Sequence, residues 1–207
     1  MGQLYTIGHS TYPIEHFLEL LKKYEVQYIL DVRSTPFSRY AFQYNADVLE
    51  KYLKDHDIHY SKMGKYFGAR QPDLSLYHKD GYLDFDKVRD SDLFKAGRDN
   101  VIKGLNDFNI ALMCTEKYPV DCHRTIMVAR GFELAGIDVK HILHNGDLYT
   151  QKEVNNELLD KYFPERMQLS LFANENKSDT ELLMEAYQIR NSEIGYRLNS
   201  DSEGGKI

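Results

Sequence analysis

Apolar residues fall along this chain in two alternating rhythms. Short runs rich in β-formers, Leu4-Tyr-Thr-Ile7, Gln27-Tyr-Ile-Leu-Asp-Val32, a piece near Ile58-His-Tyr60, Asn109-Ile-Ala-Leu-Met113 and Val139-Lys-His-Ile-Leu143, read as strands. Between them the spacing turns helical. Phe17, Leu18, Leu20 and Leu21 follow Pro13; a second helix runs from about Ala46 to His56; a third from Asp84 to about Phe108 faces inward with Leu93, Phe94, Val101, Ile102 and Leu105. Ile126, Val128, Ala129, Phe132 and Leu134 mark a fourth that stops at Gly136, and the turn Asn145-Gly-Asp147 leads to a last helix, Thr150 to Tyr162, closed by Pro164. Strand and helix alternate nearly throughout, which predicts a three-layer α/β fold: a mostly parallel, Rossmann-like sheet with helices on both faces. Gly64 to Tyr82 is long and irregular, the texture of a functional lid or a disordered loop.

Residues 1–164 form one expected α/β domain and 165–207 a C-terminal extension. The extension carries eight acids against five bases, ends in Ser200-Asp-Ser-Glu-Gly-Gly205, and is read as a partly disordered, flexible tail with a short helix around Thr180 to Arg190. The whole chain of 207 residues has a net charge of −6, which argues against indiscriminate binding of nucleic acid through bulk electrostatics. No apolar run approaches the ~18 residues needed to cross a bilayer, and the chain enters its first strand without a basic, apolar leader, so a cytoplasmic, non-membrane protein is expected. Two cysteines eight positions apart in such a chain are expected as free thiols.

Both cysteines sit in Cys114-Thr-Glu-Lys-Tyr-Pro-Val-Asp-Cys-His-Arg124, a strand-to-helix loop with Asp121 or Cys122 placed to cap the helix start. Such loops gather ligands, because strand ends and helix N-termini present free N–H groups to anions. The exits of the first and second strands belong to the same sheet edge. Together the three loops supply His9, Ser10, Asp31, Arg33, Arg39, Cys114, Glu116, Cys122, His123 and Arg124. Arginines suit phosphate or carboxylate, His9 and Glu116 suit proton transfer, and a cysteine beside basic groups becomes a nucleophile. Asp31 is as well suited to pairing with a neighbouring arginine, and Cys114 to a small core position. A metal site from Cys114, Cys122, His123 and His9 is not expected: the spacing fits no standard zinc pattern, and adjacent Cys-His ligands are sterically awkward. Nor is the anion cradle of cysteine phosphatases and sulfurtransferases present, since the positions six after each cysteine are Val120 and Val128. The sequence specifies no cofactor and no oligomeric state.

Ile7-Gly-His-Ser10, Asp31-Val-Arg-Ser34 with Pro36 and Ser38-Arg39, and Cys114-Thr-Glu116 with Cys122-His-Arg124 resemble, in this order, the family of domain of unknown function 488 over residues 3 to 164. The closing Val139-Lys-His-Ile142 fits as well. The resemblance implies a compact α/β domain and a link to nucleic-acid maintenance. In the extension, Gln168-Leu-Ser-Leu-Phe172 resembles the pentapeptide by which bacterial replication and repair proteins dock on the sliding clamp, with Gln168, Leu169, Leu171 and Phe172 as partner-binding residues. The leading expectation is an enzyme that hydrolyses or cleaves a nucleic acid or nucleotide in DNA maintenance. In it, Ser10, Asp31, Arg33, Arg39, His123 and Arg124 hold substrate, and His9, Glu116, Cys114 and Cys122 do the chemistry. The alternatives are a sulfurtransferase-like thiol enzyme acting on a small anion, and a non-catalytic module that binds a ligand or the clamp.

Overall fold

The computed structural model describes residues 2–166 and 177–198. Six strands form one sheet: β1 (Leu4–Gly8), β2 (Tyr28–Asp31), β3 (His59–Lys62), β4 (Ile110–Cys114), β5 (Val139–Ile142) and β6 (Leu148–Thr150). Their spatial order is β3-β2-β4-β1-β5-β6. The first five run parallel, and β6 turns back antiparallel on β5. The helices are α1 (Ile14–Lys23), α2 (Ala46–Lys54), α3 (Gly64–Phe67), α4 (Phe85–Asp90), α5 (Asp92–Gly104), α6 (Arg130–Glu133), α7 (Gln151–Tyr162) and α8 (Asp179–Ile194). Among the described residues no helix is long and apolar enough to cross a membrane.

β4 is buried along its whole length, and its side chains alternate between the two faces of the sheet. Ile110, Leu112 and Cys114 pack with Phe67, Phe94, Phe132, Val154 and Tyr187, contributed by α3, α5, α6, α7 and α8. Ala111 and Met113 pack on the other face with Phe17, Leu21, Leu49 and Leu53 of α1 and α2. Each such Leu or Phe contributes about 1.5–3 kcal/mol through burial, which is why the pattern of apolar runs announces the three layers. The chain leaving β1 goes to α1 on one face, and the chain leaving neighbouring β4 goes to the helix that ends in α6 on the other. Their divergence opens a crevice at the carboxyl ends of the strands. The helix after β4 begins with wide π-helical turns, Arg124–Ala129, before tightening into α6. Such turns are rare and concentrate at functional sites.

Three elements differ from the sequence expectation. The helix expected from Asp84 to Phe108 is two helices, because Ser91 takes an extended conformation and its hydroxyl accepts the Phe94 N–H as the cap of α5. Ser91→Ala is expected to cost about 1 kcal/mol, the ordinary value of a lost N-cap, read as a lower urea midpoint at unchanged slope. A strand, β6, lies between the Asn145–Asp147 turn and α7, with Gly146 supplying the positive φ of 81° that the turn needs. Finally, the extension contributes α8, 16 residues opened by a capping box of Ser178 and Glu181 and packed into the core through Ala186 and Tyr187.

A buried polar chain fastens α8 to the sheet. Gln151 Oε1 accepts from His141 Nε2, so the other ring nitrogen, Nδ1, accepts from the Thr6 hydroxyl at 2.8 Å. Gln151 Nε2 then donates to the Tyr187 hydroxyl, and that hydroxyl donates to Asn155. His141 is thereby fully satisfied as a neutral ring. Burial, followed by the nearby Arg124 charge, drives its pKa down to about 3.

Candidate active site at the strand ends

The parallel register sets Gly8 of β1 beside Cys114 of β4, and Asp31 of β2 beside Met113. Pairing continues past the sheet edge: His9 N donates to Cys114 O and Ser10 N to Thr115 O. The loop after β4 presses so closely on β1 that a Cβ on Gly8 would lie 1.9 Å from the Glu116 carbonyl oxygen, so only glycine fits there. Arg124, fully buried at the start of the next helix, holds that loop from inside, donating to Glu116 O at 2.6 Å and Lys117 O at 3.3 Å. Outside, Arg190 of α8 donates to Val120 O at 2.9 Å and pairs with Asp121.

This bracing collects Cys114, Glu116, Cys122 and His123. One sulfur, nitrogen or oxygen from each lies within 4.8 Å of all the others. Cys122 Sγ and Glu116 Oε2 are 2.8 Å apart and hold one proton between them; His123 Nδ1 is 3.6 Å from Cys114 Sγ and 4.0 Å from Cys122 Sγ. The far nitrogen, His123 Nε2, donates to the Val32 carbonyl at 3.2 Å, which turns the Nδ1 edge of the ring toward the sulfurs. Adjacent Cys122 and His123 converge because the backbone is extended at the first (φ −127°) and helical at the second (φ −59°), so the chain folds back between them.

Burial opposes charge on Cys122, but the Cys114 thiol, the Arg124 guanidinium and His123 outweigh it and hold the Cys122 pKa well below the ordinary thiol value. Burial pushes Cys114 well up, with the neighbouring Cys122 sulfur adding to it. Glu116 is raised by burial of its carboxyl and by Cys122. Burial also disfavours the imidazolium of His123, yet contact with Cys122 carries its pKa upward overall. The Arg124 N–H points to Cys122 Sγ at 3.4 Å, so Cys122 does cap the helix start, while Asp121 turns to Arg190.

Above the cluster lies a cleft of about 280 Å³. Its floor and one wall are Cys114, Glu116 and His123; Arg33 and Ser34 come from the β2 exit, Arg70 from the irregular segment, and Tyr196 from the residues after α8. Both cysteines are buried, whereas Glu116 is exposed to the cleft.

A family model described as "Domain of unknown function DUF488" matches residues 13–130, more than half of the chain. The chain belongs to the DUF488 family. No curated protein and no solved structure matches it. The DUF488 match takes in the β2 exit and the whole loop from Cys114 to Arg124; Ile7-Gly-His-Ser10, Val139–Ile142 and Tyr196 lie outside the matched span.

Of the residues expected at this DUF488 site, Cys114, Glu116, Cys122 and His123 converge, and Arg33 borders them. Arg33 is committed internally: Nε and Nη2 grip Asp31 at 2.9 and 2.6 Å, Nη2 also reaches Tyr44 O, and Nη1 donates to His9 Nε2 at 3.1 Å. Tyr60 donates to the same Asp31. Asp31 thus acts as the buried partner of Arg33. His9 stacks on Tyr44, donates from Nδ1 to Ser10 O, and has its pKa lowered to about 4 by burial and then by Arg33. Arg124 is committed to two carbonyls, as above. Ser10, with φ 48°, serves the β1–β4 junction, and Arg39 stands exposed on its loop outside the cleft lining. Gln168 to Phe172 lie outside the described residues. Sequence reasoning missed Arg70 and Tyr196 as site residues. The Arg70 guanidinium lies 4.7 Å from the Tyr196 ring centre, a contact between an irregular loop and the extension that no local spacing announces.

Proposed function

We propose that this DUF488 chain is an enzyme acting on a nucleotide or nucleic acid, with Glu116 as the group that moves protons. The observation that carries the reading is Glu116, a residue that lines the cleft while its carboxyl shares a proton with a buried thiol at 2.8 Å. Cys122 is 1% exposed, so direct attack on a substrate by its sulfur is blocked by Glu116, and proton transfer through the carboxyl is favoured over a thiol nucleophile. With Arg33 and Arg124 engaged elsewhere, the exposed Arg70 is the guanidinium placed for a phosphate, because among the described residues it has no carboxylate partner. Tyr196, whose ring carries that guanidinium, lines the same cleft, and the cleft volume of about 280 Å³ suits a small, nucleotide-sized group.

The test is turnover of nucleoside mono-, di- and triphosphates and short single-stranded oligonucleotides by the purified chain. Glu116→Gln is expected to lower kcat about 100-fold or more, the usual scale for a lost acid–base group, while Arg70→Ala raises KM with kcat little changed. Unaltered turnover in Glu116→Gln, or no turnover on any of these substrates, rejects the reading.

A further inference from the structure

We infer that Cys114, Cys122, His123 and Glu116 bind one zinc-class divalent cation, with Glu116 as the exchangeable fourth ligand on the cleft side. The inference deepens the reading of this cleft as an active site and rests on it for the role of Glu116.

Four independent features converge on it. The donor set is the first: two thiols and an imidazole are the groups that select zinc over hard cations, and a carboxylate is its common oxygen ligand. Geometry is the second. In a tetrahedral shell with Zn–S about 2.3 Å and Zn–N about 2.0–2.1 Å, ligand atoms sit roughly 3.3–3.8 Å from each other. Here the Cys114–His123 separation is 3.6 Å, Cys122–His123 is 4.0 Å, Cys122–Glu116 is 2.8 Å and all four atoms fall within 4.8 Å, so shifts of about 1 Å, with Glu116 opening from Cys122, bring them onto one ion.

Orientation is the third. A ligating histidine is ordinarily held by a hydrogen bond from its other ring nitrogen to a carbonyl or carboxylate, and His123 Nε2 donates to Val32 O in that way, leaving Nδ1 toward the sulfurs. The fourth is charge. Arg124 is 0% exposed and bonds only to carbonyls, so its guanidinium is a buried positive charge with no carboxylate partner among the described residues. A divalent ion with two thiolates and one carboxylate carries one net negative charge, and it would sit beside that guanidinium and balance it.

Binding displaces two protons to solvent, the one on the Cys114 thiol and the one shared by Cys122 and Glu116. Because Glu116 faces the cleft while both sulfurs and the imidazole are buried, it is the ligand that solvent reaches. When a water takes its place on the ion, the freed carboxylate is positioned to accept a proton from that water.

The test uses the full chain, stripped with a chelator and then titrated with Co²⁺ and with Zn²⁺. The expected result is one ion per chain, with thiolate-to-cobalt charge-transfer absorption and the intense ligand-field bands of tetrahedral cobalt, both displaced by zinc. Folded wild-type protein, checked by circular dichroism, that develops no charge-transfer band overturns the site without recourse to any variant. Cys122→Ser and His123→Asn are each expected to weaken zinc binding by more than the roughly 10–100-fold that outer-shell changes cost, and an unchanged cobalt spectrum in both overturns the assignment. Glu116→Gln is expected to keep the charge-transfer band and shift the ligand-field bands; unshifted bands remove Glu116 from the ligand set. Turnover by metal-free protein that also develops no charge-transfer band with cobalt, with Glu116→Gln still inactive, overturns the metal centre and leaves the enzyme reading standing. One bound ion with no turnover on any phosphate-bearing substrate supports the metal centre and rejects the enzyme reading.

Discussion

Arg124→Leu is expected to destabilise the fold by about 3 kcal/mol, roughly a hundredfold in the folding equilibrium. Leucine fills part of the space but donates nothing, so the Glu116 and Lys117 carbonyls, now served by the guanidinium, lose a charged donor inside the protein. Hydrogen bonds to charged groups are each worth about 1.5–3 kcal/mol, and the Lys117 contact, at 3.3 Å, is the weaker of the two. Relief of a buried charge works the other way and keeps the total from reaching the sum. Urea unfolding measures it as a lower midpoint with the slope unchanged. A loss below about 1 kcal/mol would mean that the loop carbonyls find water once the arginine is gone, and that the loop after β4 is braced mainly by Arg190 from outside.

Acid is expected to unfold this protein steeply through two histidines far from its surface. His9 and His141 have folded pKa values lowered to about 4 and about 3, against an ordinary value of 6.5. In the unfolded chain both take up protons as pH falls below 6.5, whereas in the fold they stay neutral, so the unfolded state binds more protons and stability falls with pH. Between 6.5 and 4 each group contributes a slope of about 1.4 kcal/mol per pH unit, or about 3 kcal/mol apiece by pH 4. The stability they confer is whole above pH 6.5, and the decline ends only below their folded values. Glu116 and His123, whose protonated forms are favoured in the fold, act in the opposite sense and reduce the net slope. Equilibrium unfolding at several pH values, in wild type and in His141→Gln and His9→Gln, isolates each share. A variant with the wild-type slope removes that histidine from the account.

The layers were legible because they rest on repetition. Each buried strand and each amphipathic helix repeats its signal over many residues, and β4 announces itself through five consecutive buried positions. The site was legible as a location and less so as an arrangement. Cys114, Glu116, Cys122 and His123 could be placed at one strand end from sequence. That Cys122 and His123 face the same point depends on a change of backbone conformation across a single peptide, which their adjacency conceals.

The arginines are harder to read from sequence. Asp31 two residues before Arg33 hinted at internal pairing, but Arg124 bonds to main-chain carbonyls, and main chain carries no residue-specific signal. In the extension a helix around Thr180 to Arg190 is legible, but its full span, Asp179–Ile194, rests on the capping box of Ser178 and Glu181 at one end and on core packing through Ala186 and Tyr187. β6, at three residues, is too short for any periodicity to register.

The cleft wall formed by Tyr196 has a consequence in time. During synthesis the strands, the cysteines and Arg70 all leave the ribosome well before Tyr196, so one side of the cleft is the last part of it to emerge. Docking of α8 is then the step that finishes the pocket, and the Arg190 pair with Asp121 ties that late step to the loop carrying Glu116.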